Sequence, residues 1–189
     1  MKNLLIALFL LLFLQPLLAQ REETLFGRNH LDLTGFWYTN TNNFSFFEED
    51  TEYFSGGSVL FEFNKDILLG WGWQRISGEG RLPSDGSRFD LKHNGLMIAY
   101  SPNAGKVIHP HFSVYGGSGR FDLVNSDRER IFALQPAAGL ELNVFRWFRL
   151  GLEGGYRFIT DIDTQGVSSS ELSTPFAQLQ FRFGYSWWD

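Results

Sequence analysis

From Ala177 to Trp187 the chain alternates without a break. Ala177, Leu179, Phe181, Phe183, Tyr185 and Trp187 share one parity, and Gln178, Gln180, Arg182, Gly184 and Ser186 share the other. Successive side chains of a strand point to opposite faces, so this pattern dictates a strand with one greasy face and one polar face. The same division runs from Arg149 to Phe158, where Leu150, Leu152, Gly154, Tyr156 and Phe158 oppose Arg149, Gly151, Glu153, Gly155 and Arg157. It recurs from Leu134 to Asn143, with Leu134, Pro136, Ala138, Leu140 and Leu142 against Gln135, Ala137, Gly139, Glu141 and Asn143. Earlier, Val59, Phe61 and Phe63 oppose Ser58, Leu60 and Glu62, and a tight hairpin at Asn64-Lys65-Asp66 leads to Leu69, Trp71 and Trp73 against Gly70, Gly72 and Gln74. A further hairpin joins Leu96, Ile98 and Tyr100 to Ile108, Phe112 and Val114 through Pro102-Asn103-Ala104-Gly105, and a first strand lies around Leu31 to Asn40. No long stretch beyond the N-terminal segment carries a helical period, so the expectation is an all-β chain of about eight antiparallel strands.

Connections alternate in length. Short turns near 64–66, 102–106 and 145–148 alternate with longer polar stretches near 42–53, 77–94, 124–130 and 160–174. That rhythm predicts an up-and-down barrel with short turns at one rim and long loops at the other, and an even strand count returns both ends to the short-turn rim. Pro110 and Pro136 fall inside strands and have no N–H to give a ladder, so bulges are expected at both. Gly116-Gly117-Ser118-Gly119 is followed by neither a helix nor Lys-Thr, which leaves a phosphate loop unsupported and reads as a flexible or bulged rim of the fifth strand.

Alternation alone leaves open which face points inward, because a soluble barrel encloses its apolar face and a transmembrane barrel turns it to lipid. The polar face here is built of charged and amide residues with many glycines, which suits a narrow lumen. The chain holds 20 Phe and 6 Trp. Rings gather near strand ends at Phe63, Trp73, Tyr115, Phe145, Trp147, Phe148, Trp187 and Trp188, as in aromatic girdles at two interfaces. Closure also satisfies every backbone group in lipid. The expected fold is therefore a transmembrane antiparallel up-and-down β-barrel over residues 31–189.

The chain begins with Lys2, an apolar run from Leu4 to Leu14, then Gln15-Pro16 and a small residue, Ala19, before Gln20. This is the layout of a secretory signal, so residues 1–19 are expected to be cleaved after export through the Sec pathway, leaving 20–30 as a periplasmic lead-in. The run is shorter than the ~20 residues a helix needs to cross the hydrocarbon. What remains is one domain's worth of chain. With no cysteine there is no disulfide framework, thiolate nucleophile or lipid-bearing cysteine. A net charge of −5 argues against a nucleic-acid partner, which needs a basic face.

With these residues in place, the chain resembles the small outer-membrane barrels of the OmpA and OmpX type. In that group the last strand ends in an aromatic with apolar residues at every second position before it, and the barrel-assembly machinery reads it. The resemblance implies that role for Leu179, Phe181, Phe183, Tyr185 and Trp187, although Trp188 and Asp189 follow here. It also implies a monomer in the bacterial outer membrane, in contact with outer-membrane lipid and lipopolysaccharide. Gly35-Phe36-Trp37-Tyr38 resembles the Gly-x-Trp motif of lipocalins, which keeps a soluble barrel with an apolar ligand cavity as the rival reading.

An inward polar face places Glu62, Glu141, Arg149, Glu153, Arg157 and Arg182 in the lumen, where each charge needs a partner and a charge network is expected. An eight-stranded lumen is just wide enough to be filled by side chains, so a plug is expected and a narrow pore set by Arg and Glu is the alternative. His109 and His111 share a face two residues apart, a spacing compatible with one metal but lacking an obvious third ligand. His111-Phe112-Ser113 resembles the His-x-Ser element of the outer-membrane lipid A deacylases. That resemblance implies Ser113 as nucleophile and His111 as base. Where that family has Glu, Asn125 stands here, which leaves Glu129 as the acid able to fold back. No cofactor is expected. The charged segments Glu48-Glu49-Asp50, Asp127-Arg128-Glu129-Arg130 and Ser168-Ser169-Ser170-Glu171 read as solvated loops and name no extracellular ligand. The functional expectation is a non-enzymatic structural or surface-interaction protein acting through its loops. A lipid hydrolase, a small-solute channel and a soluble binding barrel are the alternatives.

Overall fold

The computed structural model describes residues 31–47, 50–82, 86–123, 128–162 and 168–187. The fold described is that of the compact unit Leu33–Asp189. The expected export signal, the lead-in, Asn125, Trp188 and Asp189 lie outside the described residues.

Among the described residues the elements are β1 (Leu33–Phe46), β2 (Thr51–Phe63), β3 (Ile67–Ile76), β4 (Gly80–Arg81), β5 (Arg88–Tyr100), β6 (Ile108–Leu123), β7 (Glu129–Phe145), β8 (Phe148–Thr160), a one-turn helix α1 (Ser169–Leu172) and β9 (Thr174–Ser186). Eight strands pair antiparallel in a closed ring, β1-β2-β3-β5-β6-β7-β8-β9, and the two-residue β4 is appended to β5. The ring closes where β9 returns to β1, from Gly35↔Ser186 to Ser45↔Phe176. Closure leaves the ring no free edge, so each strand of the wall is hydrogen-bonded on both sides.

Two rims follow from the connections. At the turn end, Phe63 pairs with Ile67 across a turn in which Asn64 and Lys65 take φ of 50° and 68°, the left-handed region that a tight reversal needs. The Asp66 carbonyl accepts the Ser101 N–H at 2.7 Å, tying this turn to the next. At the loop end the strands run further than the sequence suggests. β1 continues to Phe46 and β2 begins at Thr51, so most of the stretch expected as a loop at 42–53 is ladder. β5 likewise begins at Arg88 inside the stretch expected as a loop at 77–94, and 160–174 contains α1.

Neither proline makes a bulge. Pro110 pairs with Leu140 and Pro136 with Val114 in an unshifted β6–β7 register. Pro110 lies past the last β5 partner, Tyr100↔Phe112. The β7–β8 ladder carries no pair for Gln135 or Pro136 between Leu134↔Phe158 and Ala137↔Gly155. A missing N–H is tolerated where the adjoining ladder has ended or is interrupted. The Gly-rich run is also not a bulged rim: it lies inside β6, with Gly117 opposite Gly95. A Cβ on Gly95 would stand 2.2 Å from the Gly116 oxygen, and one on Gly117 2.1 Å from the Asn94 oxygen, so these two glycines let the strands approach closely.

Candidate functional site

The turn-end part of the wall turns apolar residues outward. Leu96, Ile98, Leu140 and Leu152 are each more than half exposed, and Phe61, Trp71, Phe112, Val114, Phe183 and Tyr185 join them. Such a continuous apolar surface is far larger than soluble monomers display. The opposite parity is buried in the lumen and, beside Trp37, Leu60, Leu68, Met97 and Ala99, is mostly polar: Thr39, Ser58, Glu62, His109, His111, Glu141, Arg149, Glu153, Arg157, Gln178, Gln180 and Arg182. The interior is thus not the apolar ligand cavity of a lipocalin-like barrel.

Six charged side chains from β2, β7, β8 and β9 organise this lumen. Glu62 accepts the Trp37 indole N–H at 2.9 Å, Arg149 Nη2 at 3.1 Å and the Ser186 hydroxyl. Arg149 also stacks over the Trp37 ring at 3.9 Å and donates Nη1 to Glu141 Oε1 at 3.3 Å. Glu141 receives Arg182 Nη1 on its other oxygen, so one carboxylate bridges two guanidiniums. Arg182 further donates to Thr39 Oγ1 at 3.2 Å and Gln180 Oε1 at 3.0 Å. Glu153 is held by Gln178 at 2.5 Å, Gln180 at 2.7 Å and Ser113 at 3.3 Å. Arg157 stands apart from the carboxylates. It donates to Ser45 Oγ (3.0 Å), Asn43 Oδ1 (3.3 Å) and Gln74 Oε1 (3.0 Å), with its guanidinium over the Phe54 ring.

His111 is a hub rather than half of a His-Ser pair. Its Nδ1 lies 2.7 Å from Ser101 Oγ, and its Nε2 lies 3.2 Å from Glu153 Oε1 and 3.3 Å from Arg182 Nη2. Ser113 meets Glu153 instead, so the acid stands between serine and histidine and no serine–histidine–acid relay runs through Ser113. Glu129 is not its orienting acid either. Glu129 pairs with Phe121 while Ser113 pairs with Ala137. The separation along β7 is about 26 Å at the rise of a strand. His109 Nε2 lies 3.3 Å from Glu141 Oε1, and no group of three metal ligands gathers among the described residues. Tyr115, expected in an outer girdle, points inward with its hydroxyl 2.9 Å from His93 Nδ1.

The loop-end part of the lumen is different, and alternation in the sequence did not disclose it. Phe54, Ile76, Leu82, Phe89, Leu91, Phe121, Ile131, Ala133, Ile159 and Leu172 are all buried there in one apolar core, with Phe47 beside them. On β3, β5, β6, β7 and the end of β8 the outward parity becomes polar there, with Arg75, Asp90, Lys92, Arg120, Asp122, Arg130 and Thr160, whereas β1 keeps Phe44 and Phe46 outward. Within the continuous strand β6 the wall passes from polar inside (His111, Ser113) and apolar outside (Phe112, Val114) to apolar inside (Phe121) and polar outside (Arg120, Asp122), with no register shift in between. The legible trace of this reversal is the change of parity between Phe89 and Leu91 and then Leu96 and Ile98, which by itself reads as a broken strand.

The comparisons agree with this architecture. Neither a protein-family model nor a curated protein matches the sequence. Among solved structures, the N-terminal β-barrel domain of Pseudomonas aeruginosa OprF aligns at 15% identity and TM-score 0.56, over 81% of this chain and 98% of that one. Neisserial surface protein A aligns at 10% identity and TM-score 0.57, over 84% of this chain and 100% of that one. The fold is that of the small outer-membrane barrels. Identities this low carry the fold and leave the role to be argued from the residues.

Proposed function

We propose that this chain is a monomeric integral outer-membrane barrel of the bacterial envelope that neither conducts nor catalyses, and that acts at the cell surface through its loop end. In this reading residues 1–19 are the cleaved export signal and 20–30 the periplasmic lead-in. Leu179, Phe181, Phe183, Tyr185 and Trp187 present the assembly signal. The observation that carries the membrane part is the reversal of polarity along single strands. A wall that is apolar outside over one stretch and polar outside over the next suits an outer medium that changes from hydrocarbon to water at that height. A soluble barrel has no reason to reverse.

The closed lumen supports the absence of conduction. The charged part is filled by paired side chains, an interior cavity of about 20 Å³ has room for about one water, and the apolar core stands above both. The burial of Ser113 and His111, and the separation of Ser113 from His111 by Glu153, speak against a hydrolase working on lipid at the outer wall. Fractionation followed by electrophoresis in mild detergent, with and without boiling, tests the location. The expected result is an outer-membrane protein whose mobility changes on heating, and recovery from the soluble periplasm would overturn the reading. In planar bilayers the folded protein is expected to be silent; resolved unitary currents would replace the plug by a pore.

A further inference from the structure

Four cations lie in one register row on the outer wall at the loop end. Arg75 on β3 is paired with Lys92 on β5, Lys92 with Arg120 on β6, and Arg120 with Arg130 on β7. Neighbouring strands stand about 4.8 Å apart, so the row spans roughly 14 Å of wall. Like charges directly opposite one another destabilise a sheet, and three successive pairs repeat that cost. The nearby acids relieve it only at Arg75. Asp90 turns to Arg75 at 3.7 Å and Asp122 to Arg128 at 3.2 Å, and no ion pair reaches Lys92, Arg120 or Arg130 among the described residues. Three of the four line an open groove of about 450 Å³ together with Asn94 and Ser118.

The row's height is as specific as its charge. Two residues along each strand toward the turn end the outward residues are Trp73, Asn94, Ser118 and Phe132. Two residues further they are Trp71, Leu96, Gly116 and Leu134, where the apolar belt begins. We propose that Arg75, Lys92, Arg120 and Arg130 form a binding site for the phosphate groups of a phosphorylated glycolipid of the outer leaflet, whose acyl chains lie against Trp71, Leu96 and Leu134. This rests on the outer-membrane reading. Guanidinium forks bind phosphate oxygens in pairs, and a row of them at the edge of the hydrocarbon fits a headgroup carrying more than one phosphate. The apolar rows directly below distinguish a lipid from a free anion, which would gain nothing from them.

The test uses the full chain folded in mixed micelles with bis-phosphorylated lipid A, and counts lipid retained per protein by native mass spectrometry. The expected result is that Lys92→Gln/Arg120→Gln/Arg130→Gln retains about tenfold less than wild type, while dephosphorylated lipid A is retained equally by both. Inorganic phosphate at millimolar concentration is expected not to displace the lipid. Equal retention of bis-phosphorylated lipid A by variant and wild type, or displacement by inorganic phosphate, overturns the site. In neutral detergent the variant is expected to unfold at or above the wild-type denaturant midpoint because the row's repulsion is gone; a lower midpoint would make the row structural and overturn the proposal. The heat-dependent gel shift is recorded on every sample. A wild-type protein without that shift in lipid removes the membrane reading and the site with it, whereas an intact shift with equal retention removes the site alone.

Discussion

The guanidinium of Arg157 lies over the ring of Phe54, 3.9 Å from its centroid, at the level where the lumen passes from polar to apolar. On β8 the inward residue on one side of it is Gly155, next to Glu153, and on the other side is Ile159 in the apolar core. Its hydrogen-bond partners are neutral oxygens of Ser45, Asn43 and Gln74. Arg157→Ala is expected to destabilise the barrel by about 3 kcal/mol, through three orphaned polar partners and a cavity against Phe54. Arg157→Lys keeps the charge but not the planar fork or the stacking, and is expected to fall between Ala and wild type. Urea titration of the folded, heat-shiftable band in lipid reads both; an unchanged midpoint in Arg157→Ala would mean that the contacts do not support the fold.

Glu141 is the hinge of the charge network, since both Arg149 and Arg182 lean on it. Arg149 has Glu62 as a second carboxylate, whereas Arg182 retains only Thr39, Gln180 and His111. Removing one partner of a buried pair leaves an uncompensated charge, so Glu141→Ala is expected to cost about 3–5 kcal/mol by the same titration. Adding Arg182→Met to that variant is expected to recover part of the loss, because the stranded cation goes with it. A double variant less stable than Glu141→Ala would place the cost elsewhere.

The height of the belt makes a prediction that a soluble barrel does not share. Leu96 and Asn94 are both exposed on the outward face of β5, two residues apart on either side of the polarity change. In lipid, Leu96→Arg is expected to cost about 2–4 kcal/mol and Asn94→Arg under about 1 kcal/mol, because a charge is expensive within the hydrocarbon and tolerated near its edge. A soluble wall would accept both. Equal small losses on refolding into phosphatidylcholine vesicles would argue that Leu96 faces water.

Much of the fold was readable from parity. The outward residues of β7, β8 and β9 are the ones that alternation assigns to one face, and the charged residues of the opposite parity all lie in the lumen. Strand ends were less readable. Thr41, Asn43 and Ser45 line the lumen between outward Asn40, Asn42 and Phe44, so polar residues occupy both faces of β1 and the alternation vanishes although the ladder continues. Tyr115 carries a ring that suits a girdle, but its parity, shared with His111 and Ser113, sends it inward.

The sequence by itself determined the central part of most strands, their short turns and which residues there share a side, because side-chain direction in a strand depends only on position along it. It did not determine which medium each side meets. Phe89 and Leu91 enter a core, while Leu96 and Ile98 on the same strand face outward, and only the closed wall with its two ends decides that. Nor did it determine partners. Glu62 meets Arg149 across 87 residues of chain and Arg157 meets Asn43 across 114, through ring closure and register rather than local spacing. The cationic row exists for the same reason: Arg75, Lys92, Arg120 and Arg130 are scattered in the chain and become neighbours only when four strands are hydrogen-bonded in that register.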